Sequence, residues 1–157
     1  MTLLVLLVTL AFAPFQRPTD VVKWSVEAPS AAVVSGGTVD VRVRAVMQPG
    51  WKLYAIEQPE GGPKPLAFGV AGDSPFQILA KRIAAPKPSV LAQDVNFSTD
   101  TRFYEKEAAF TVPVAVPRSV NPGSHEIPLE VTFQACGAEL CLRPFTQKLP
   151  VKVSITP

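Results

Sequence analysis

The sequence predicts an all-β protein in which short antiparallel strands form a sandwich of two sheets. Seventeen prolines and nine glycines interrupt its 157 residues, which disfavours long helices. No segment repeats its apolar residues with the 3.6-residue period of an amphipathic helix. Runs of alternating apolar and polar residues occur instead, bounded by Gly, Pro, Asp or Asn. About seven or eight such strands at short spacing are typical of an immunoglobulin-like sandwich.

The expected strands follow one another along the chain with short turns between them. Residues 38–47 form the clearest one, because Val and Ala alternate with Asp and Arg and thereby define a buried and an exposed face. Residues 51–56 follow the turn pair Pro49-Gly50 and form the next strand. Five further strands are expected in PLAFGV (65–70), FQILAKRI (76–83), AAFTVPVAV (108–116), IPLEVTFQA (127–135) and FTQKLPVKVSI (145–155).

Residues 84–107 have the weakest strand signal and are expected to form a long loop. They are rich in Pro, Ser, Asp and Thr, yet they also contain Phe97, Phe103 and Tyr104. A loop of this length inside a compact domain is usually functional or mobile. Its aromatic residues indicate that it packs against another part of the protein.

The first 13 residues, Met1 to Ala13, have the features of a secretory signal. They are uncharged and apolar and end in small residues, but they are shorter than the roughly 20 residues that a membrane-spanning helix needs. We therefore expect an exported, periplasmic protein without a membrane span in its mature chain. Residues 20–157 are expected to form one domain.

The remaining composition excludes several classes of function. The net charge is +2 without a cluster of Lys and Arg, so nothing indicates nucleic-acid binding. Sequence signatures of hydrolases, nucleotide-binding enzymes and haem attachment are absent. The chain has two cysteines and one histidine, His125, whereas a structural zinc site normally uses four such ligands. No metal site is therefore expected.

The two cysteines, Cys136 and Cys141, are the candidates for chemistry. In an exported protein, two cysteines this close are most simply a disulfide. A loop of six residues would stabilise the fold by only about 2 kcal/mol through chain entropy. The pair lies between two apolar stretches, near the end of an expected hairpin, where another thiolate could reach it. Arg143 would favour a thiolate and Glu139 would oppose it, so the sequence leaves both a structural and a redox-active disulfide open.

Three segments resemble the N-terminal periplasmic domain family of the thiol:disulfide interchange protein DsbD. The most specific is VTFQACGAELCLRPFTQKLPVKV, which contains both cysteines. PGWKLYAIEQP is similar to that family's Pro-Gly-aromatic strand, and RFYEKEAAFTVPVAV is similar to its Tyr-to-Pro-Val stretch. In their order and spacing, the segments span roughly residues 38–155.

The resemblance implies a redox-active disulfide on an immunoglobulin-like sandwich. In this family the second cysteine forms the mixed disulfide with partners, a role that would belong to Cys141, and the first resolves it, a role that would belong to Cys136. No metal or organic cofactor is implied. The family covers its disulfide with a loop that carries a Phe, and the matching shielding residues here are Phe97, Asp94, Asn96, Tyr54 and Tyr104.

The sequence departs from the family pattern in the covering loop. Two acidic residues directly precede the Phe in the best-known pattern, whereas Val95 and Asn96 occupy those positions here and Asp94 precedes them. A proton-handling role of an acidic pair is therefore not expected. We expect no thioredoxin-like domain after Pro157 and therefore expect the electron donor to be a separate protein.

Two functions remain at the level of sequence. The first is an exported thiol–disulfide exchange domain, an oxidoreductase of the protein-disulfide reductase type if the cysteine pair is redox-active. It would take electrons from a thioredoxin-like domain or a membrane thiol reductase. It would pass them to a periplasmic disulfide isomerase or a cytochrome-maturation thiol protein. The alternative is a non-catalytic immunoglobulin-like binding module whose disulfide is structural.

Overall fold

The computed structural model describes residues 16–157. This part of the chain contains fourteen β-strands, one short α-helix and one 3-10 turn, joined by loops. The expected signal segment, residues 1–13, lies outside the described residues. In chain order the elements are α1 Pro18–Val21, β1 Val22–Glu27, β2 Val33–Val34, β3 Thr38–Met47, β4 Lys52–Tyr54, β5 Ala67–Val70, β6 Gln77–Ile78, η1 Ala80–Arg82, β7 Ser89–Asp94, β8 Thr99–Tyr104, β9 Glu107–Ala115, β10 Gly123–Ile127, β11 Leu129–Phe133, β12 Ala135–Cys136, β13 Phe145–Lys148 and β14 Val151–Thr156.

Hydrogen bonds join these strands into four small sheets. Their strand orders are β1-β3-β9-β6, β10-β14-β2, β13-β11-β5 and β12-β4-β8-β7. The pairing of β14 with β2 is parallel, and every other pairing between the described strands is antiparallel. The longest ladder joins β3 to β9 over nine residue pairs, from Thr38 opposite Ala115 to Val46 opposite Glu107.

An aromatic cluster connects two of the sheets across the core. Trp24 on β1 and Phe110 on β9 belong to one sheet, while Phe68 on β5 and Phe133 on β11 belong to another. The ring of Trp24 lies 6.2 Å from that of Phe68 and 5.4 Å from that of Phe133. These contacts place the two sheets face to face, as in a β-sandwich. The predicted all-β, immunoglobulin-like fold is therefore confirmed.

Strand β3 confirms the prediction made from its alternating sequence pattern. Its residues alternate between exposed and buried along the whole range Thr38–Met47. The strand predicted at residues 108–116 corresponds to β9. Pro113 lies inside it, and the Leu79 amide donates to the Pro113 carbonyl. The missing N–H of Pro113 therefore faces β6, where the ladder extends only over Gln77–Ile78.

Other strand predictions were wrong in length or in kind. The strand expected at residues 76–83 ends at Ile78, and the exposed residues Ala80–Arg82 form a 3-10 turn. The runs expected at 127–135 and 145–155 are each divided, because Pro128 and Pro150 interrupt them. Shorter and more numerous strands result.

The long loop expected at residues 84–107 contains a β-hairpin. Strands β7 and β8 pair antiparallel, with a bulge between Leu91 and Asp94, and only residues 95–98 form the turn at the tip. The polar composition hid this hairpin, because many of its residues face solvent, while Thr, Phe and Tyr in β8 favour a strand. In the described part of the chain, no helix is long and apolar enough to cross a bilayer.

Candidate functional site

A disulfide between Cys136 and Cys141 lies at the end of the hairpin formed by β11 and β13. The two strands pair from Glu130 opposite Lys148 to Phe133 opposite Phe145, and the cysteines form one further antiparallel bridge beyond them. The predicted position of the pair at a hairpin end is therefore confirmed.

Backbone hydrogen bonds shape the turn between the cysteines. The Gly137 amide donates to the Leu140 carbonyl at 2.8 Å, and the Leu142 amide donates to the Ala135 carbonyl at 3.0 Å. Behind the turn lies the indole of Trp51: a side chain at Gly137 would begin 3.5 Å from that ring. One of the two hydrogen bonds therefore closes the turn inside the disulfide loop, and the other pairs the residues just outside the two cysteines.

The sheet β12-β4-β8-β7 presents the disulfide on one of its two faces. Residues that lie opposite each other in an antiparallel pair share a face, and successive residues of a strand alternate between faces. Leu53 lies opposite both Ala135 and Tyr104, and all three belong to the main core. Their neighbours Cys136 and Tyr54 therefore lie on the other face.

On that other face, a small apolar cluster separate from the main core surrounds the disulfide. Its buried members are Tyr54, Phe103 and Cys136, and Leu91, Phe97 and Cys141 pack against them as partly buried residues. We call these six residues the disulfide cluster. The ring of Phe97 meets that of Tyr54 edge to face, with the ring centroids 5.5 Å apart.

Phe97 reaches the cluster because it lies in the four-residue turn between β7 and β8. We call this turn, residues 95–98, the cap loop. The amides of Phe97 and Ser98 both donate to the Asp94 carbonyl, at 3.0 and 2.7 Å. Gln93, two residues before the turn, and Ser98, its last residue, have positive φ angles of 49° and 55°. These left-handed residues turn the chain sharply enough to place Phe97 over Tyr54.

The side chain of Asp94 connects the cap loop to the sheet below it. It is only 2% exposed, and its Oδ2 accepts hydrogen bonds from the Tyr54 hydroxyl at 3.2 Å and the Thr101 hydroxyl at 3.0 Å. Its Oδ1 accepts from the backbone amide of Asn96 at 3.0 Å and from the Asn96 side chain at 3.1 Å. One carboxylate therefore holds the cap loop, β4 and β8 together.

These contacts set the ionisation of both partners. Burial raises the pKa of Asp94, but the hydrogen bonds from Asn96, Thr101 and Tyr54 outweigh it, so the pKa lies below the ordinary value. The pKa of Tyr54 is strongly raised, mainly by burial and further by the negative charge of Asp94 and their hydrogen bond. At neutral pH the pair is therefore a neutral phenol that donates to a carboxylate.

The two cysteines differ in their exposure to solvent. Cys136 is 1% exposed, whereas Cys141 is partly exposed. Leu140, which precedes Cys141 in the chain, is 51% exposed, and Val95 on the cap loop is 91% exposed. Of the two cysteines, Cys141 is therefore the one that solvent can reach.

Most of the residues expected to shield the disulfide lie together. Tyr54 and Phe97 are members of the disulfide cluster, and Asp94 and Asn96 are hydrogen-bonded at its edge. Tyr104 does not lie with them. It faces the main core, where its ring is 5.5 Å from that of Phe110.

Sequence reasoning missed three residues of this face. Phe103 and Leu91 belong to the cluster, and the Lys52 ammonium lies 4.8 Å from the centroid of the Phe103 ring. The alternation of strand residues could have separated Phe103 from Tyr104, but only after residues 99–104 had been recognised as a strand. Among residues 16–157, no three His, Cys, Asp or Glu side chains come together as a metal site would require.

Comparisons with known proteins agree with this architecture. The chain is similar to the solved N-terminal domain of DsbD from Neisseria meningitidis in its reduced form, at 14% identity and a TM-score of 0.59 over 88% of this chain and 90% of that chain. It is also similar to the N-terminal periplasmic domain of ScsB from Proteus mirabilis, at 19% identity and a TM-score of 0.55 over 87% of this chain and 49% of that chain. Identities this low support the fold alone.

The sequence itself identifies the family. No curated protein matches the chain. The family described as "Thiol:disulfide interchange protein DsbD, N-terminal" matches residues 22–152, which include the disulfide, the cap loop and the sheet beneath them. Because this match covers most of the chain, it confirms the resemblance seen in the three sequence segments: the chain belongs to the DsbD N-terminal domain family of thiol:disulfide interchange domains.

Proposed function

We propose that this chain is a periplasmic thiol–disulfide exchange domain that relays electrons between thiol proteins through the Cys136–Cys141 pair. The observation that carries the proposal is the setting of the disulfide. It lies in its own apolar cluster beneath a loop, outside the main core, with one sulfur-bearing residue buried and the other partly exposed. A bridge whose task was to stabilise the fold would gain more from closing a long loop than from closing six residues.

Reduction of the pair follows ordinary thiol–disulfide exchange. A thiolate of the donor attacks the Cys141 sulfur, a donor–Cys141 bond forms, the Cys136–Cys141 bond breaks, and Cys136 leaves as a thiolate. The second thiolate of the donor then attacks the donor sulfur of this mixed disulfide and releases Cys141. The donor is oxidised to a disulfide, and the pair holds two electrons as two thiols.

Transfer to the acceptor reverses these roles. The Cys141 thiolate attacks the acceptor disulfide, and a mixed disulfide forms while one acceptor thiolate leaves. The Cys136 thiolate then attacks the Cys141 sulfur, which releases the second acceptor thiolate and restores the Cys136–Cys141 disulfide. The cysteines carry the electrons themselves, so neither direction needs a metal or an organic cofactor.

The cap loop controls access to the pair in this proposal. Phe97 lies on Tyr54 within the disulfide cluster, and Asp94 anchors the base of the loop. Small thiols in the compartment would react with the disulfide faster when Phe97 moves aside. A protein partner could displace Phe97 by offering apolar surface of its own to Val95 and Leu140.

The partners follow from the exchange chemistry and from the family. The donor is a thioredoxin-like domain or a membrane thiol reductase. The acceptor is a disulfide isomerase or a cytochrome-maturation thiol protein. The periplasmic location rests on the family and on the leader-like residues 1–13. The partner surface would include Leu140, which precedes Cys141 in the chain, and the cap loop, whose Phe97 packs in the disulfide cluster.

Trapping tests the proposal directly. Cys136→Ala leaves Cys141 able to attack an acceptor disulfide but unable to release the product, so a disulfide-linked complex should accumulate in cells or in periplasmic extract. Cys141→Ala is the matched control, because it leaves the buried cysteine and removes the same bridge. Complexes on Cys136→Ala alone support the relay. An absence of complexes on both variants, in cells whose thiol donor is active, would refute it.

A further inference from the structure

Lys52 shares the face of the sheet that carries the disulfide. It lies directly opposite Cys136 in the pairing of β4 with β12, so both side chains leave the sheet on the same side. Its neighbour two positions on, Tyr54, belongs to the disulfide cluster, as the alternation of strand residues requires. The register of one short ladder thus places a cation beside the more buried cysteine.

The ammonium of Lys52 turns towards the cluster. Its Nζ lies 4.8 Å from the centroid of the Phe103 ring, within the range of a cation–π contact. Phe103 and Cys136 are both buried members of the disulfide cluster. Lys52 is partly buried, and this cation–π contact is what directs its charge towards the cluster.

Among residues 16–157, no ion pair neutralises Lys52, and the other charges close to the cysteines in the chain or the cluster are occupied or exposed. Neither of the two ion pairs found among residues 16–157 includes it. The carboxylate of Asp94 lies on the Tyr54 side of the cluster, where four hydrogen bonds occupy it. Glu139 and Arg143, in and after the cysteine turn, are exposed to solvent, which screens their opposing charges.

We propose that Lys52 stabilises the Cys136 thiolate whenever the disulfide opens. The inference rests on the proposed exchange function and adds to it a residue that controls its rate. Cys136 is the leaving group when a donor attacks Cys141, and it is the nucleophile when the disulfide closes again. In both steps negative charge resides on a sulfur that is almost inaccessible to water. A fixed cation replaces the missing solvation and makes the pair a better electron acceptor.

Titration of Cys136 in the absence of any partner tests this role. In a Cys141→Ala background, the thiolate of Cys136 is followed by its ultraviolet absorbance as the pH rises. Lys52→Met should shift the titration to higher pH by about one unit, a tenfold loss of thiolate at neutral pH. Lys52→Arg retains the charge and should titrate close to the parent, without most of that shift. Lys152→Met removes a lysine from β14 and is the matched control.

A second measurement uses the intact pair. Dithiothreitol should reduce the disulfide severalfold more slowly in Lys52→Met than in the wild type or in Lys152→Met, because the leaving thiolate has lost its counter-charge. Equal titration curves for Lys52→Met and its parent would overturn the inference, as would an equal shift in Lys152→Met. The relay itself is judged separately, by trapped partners, since neither measurement here involves one.

Discussion

The hydroxyl of Tyr54 donates a hydrogen bond at 3.2 Å to the carboxylate of Asp94, and this contact joins the floor of the site to its cover. Tyr54 extends from β4 as a member of the disulfide cluster, whereas Asp94 ends β7 at the base of the cap loop. The same tyrosine ring supports Phe97. Opening the loop therefore disturbs a polar contact and an aromatic contact at one residue.

We expect Tyr54→Phe to loosen the cap loop. The change removes one donor from a buried carboxylate, a loss of about 1.5 kcal/mol for a hydrogen bond to a charged group. If that bond holds the loop closed, dithiothreitol should reduce the disulfide about tenfold faster. Tyr104→Phe is the matched control, since Tyr104 faces the main core and should leave the rate unchanged. Equal rates in the two variants would contradict the role given to Tyr54.

Phe97→Ala should open the site through the apolar contact instead. An edge-to-face aromatic pair contributes about 0.5–1.5 kcal/mol, so the reduction rate should rise about two- to tenfold. Val95→Ala shortens an exposed side chain on the same loop and should leave that rate as it is. A stopped-flow comparison of both variants with the wild type measures the effect. A rate unchanged in Phe97→Ala would mean that Phe97 does not cover the disulfide.

The stability of the cap loop should fall in acid because of Asp94. Its pKa in the folded protein is below the ordinary value, so its contribution to stability is present above the ordinary aspartate range and is lost as the pH falls through the folded value. The backbone amide of Asn96 should report this titration by NMR, since it donates to Asp94.

Asp94→Asn provides the comparison for this pH effect. The variant cannot ionise, so its unfolding free energy should lie below that of the wild type at neutral pH and approach it as the pH falls. In Tyr54→Phe, the midpoint of the Asn96 titration should move to higher pH, because the carboxylate has lost one donor. A difference between wild type and Asp94→Asn that does not change with pH would contradict the account.

Stability and redox chemistry should be separable, because the disulfide cluster is distinct from the main core. Phe110 packs between Trp24, Phe68 and Tyr104, so Phe110→Ala should lower the free energy of unfolding by about 3–5 kcal/mol. The reduction potential of the folded variant should equal that of the wild type. Chemical denaturation and equilibration with glutathione measure the two quantities. A shifted potential would show that the core and the site are coupled.

Local sequence patterns were sufficient to predict the strand at residues 38–47 and the hairpin end that carries the disulfide. The alternation in residues 38–47 specified a strand with one buried face, and the structure has that strand at Thr38–Met47. The two apolar stretches around the cysteines specified a hairpin end. The strand and the hairpin end could both be predicted because each depends on residues that are close in sequence. The residues of the family resemblance added Tyr54 and Phe97, which the structure brings to the disulfide.

Contacts between distant strands could not be predicted in the same way. Phe103 and Lys52 reach the cluster through the register of β4 with β8 and β12, and a shift of one residue would have moved both to the opposite face. The hairpin of β7 and β8 was missed because its polar residues resemble a loop until their partners are known. The hydrogen bonds from Asn96 to Asp94 are local in sequence, but the one from Tyr54 joins residues 40 positions apart and has no local signal.

The reduction potential of the Cys136–Cys141 pair tests the central claim most directly. The folded wild-type protein would be equilibrated with glutathione or thioredoxin buffers, and its thiols counted after acid quenching. A disulfide that exchanges with partners should have a potential above about −300 mV, in the range of working thiol–disulfide proteins. A potential well below that value would mark a bridge that partners cannot reduce and would contradict the account.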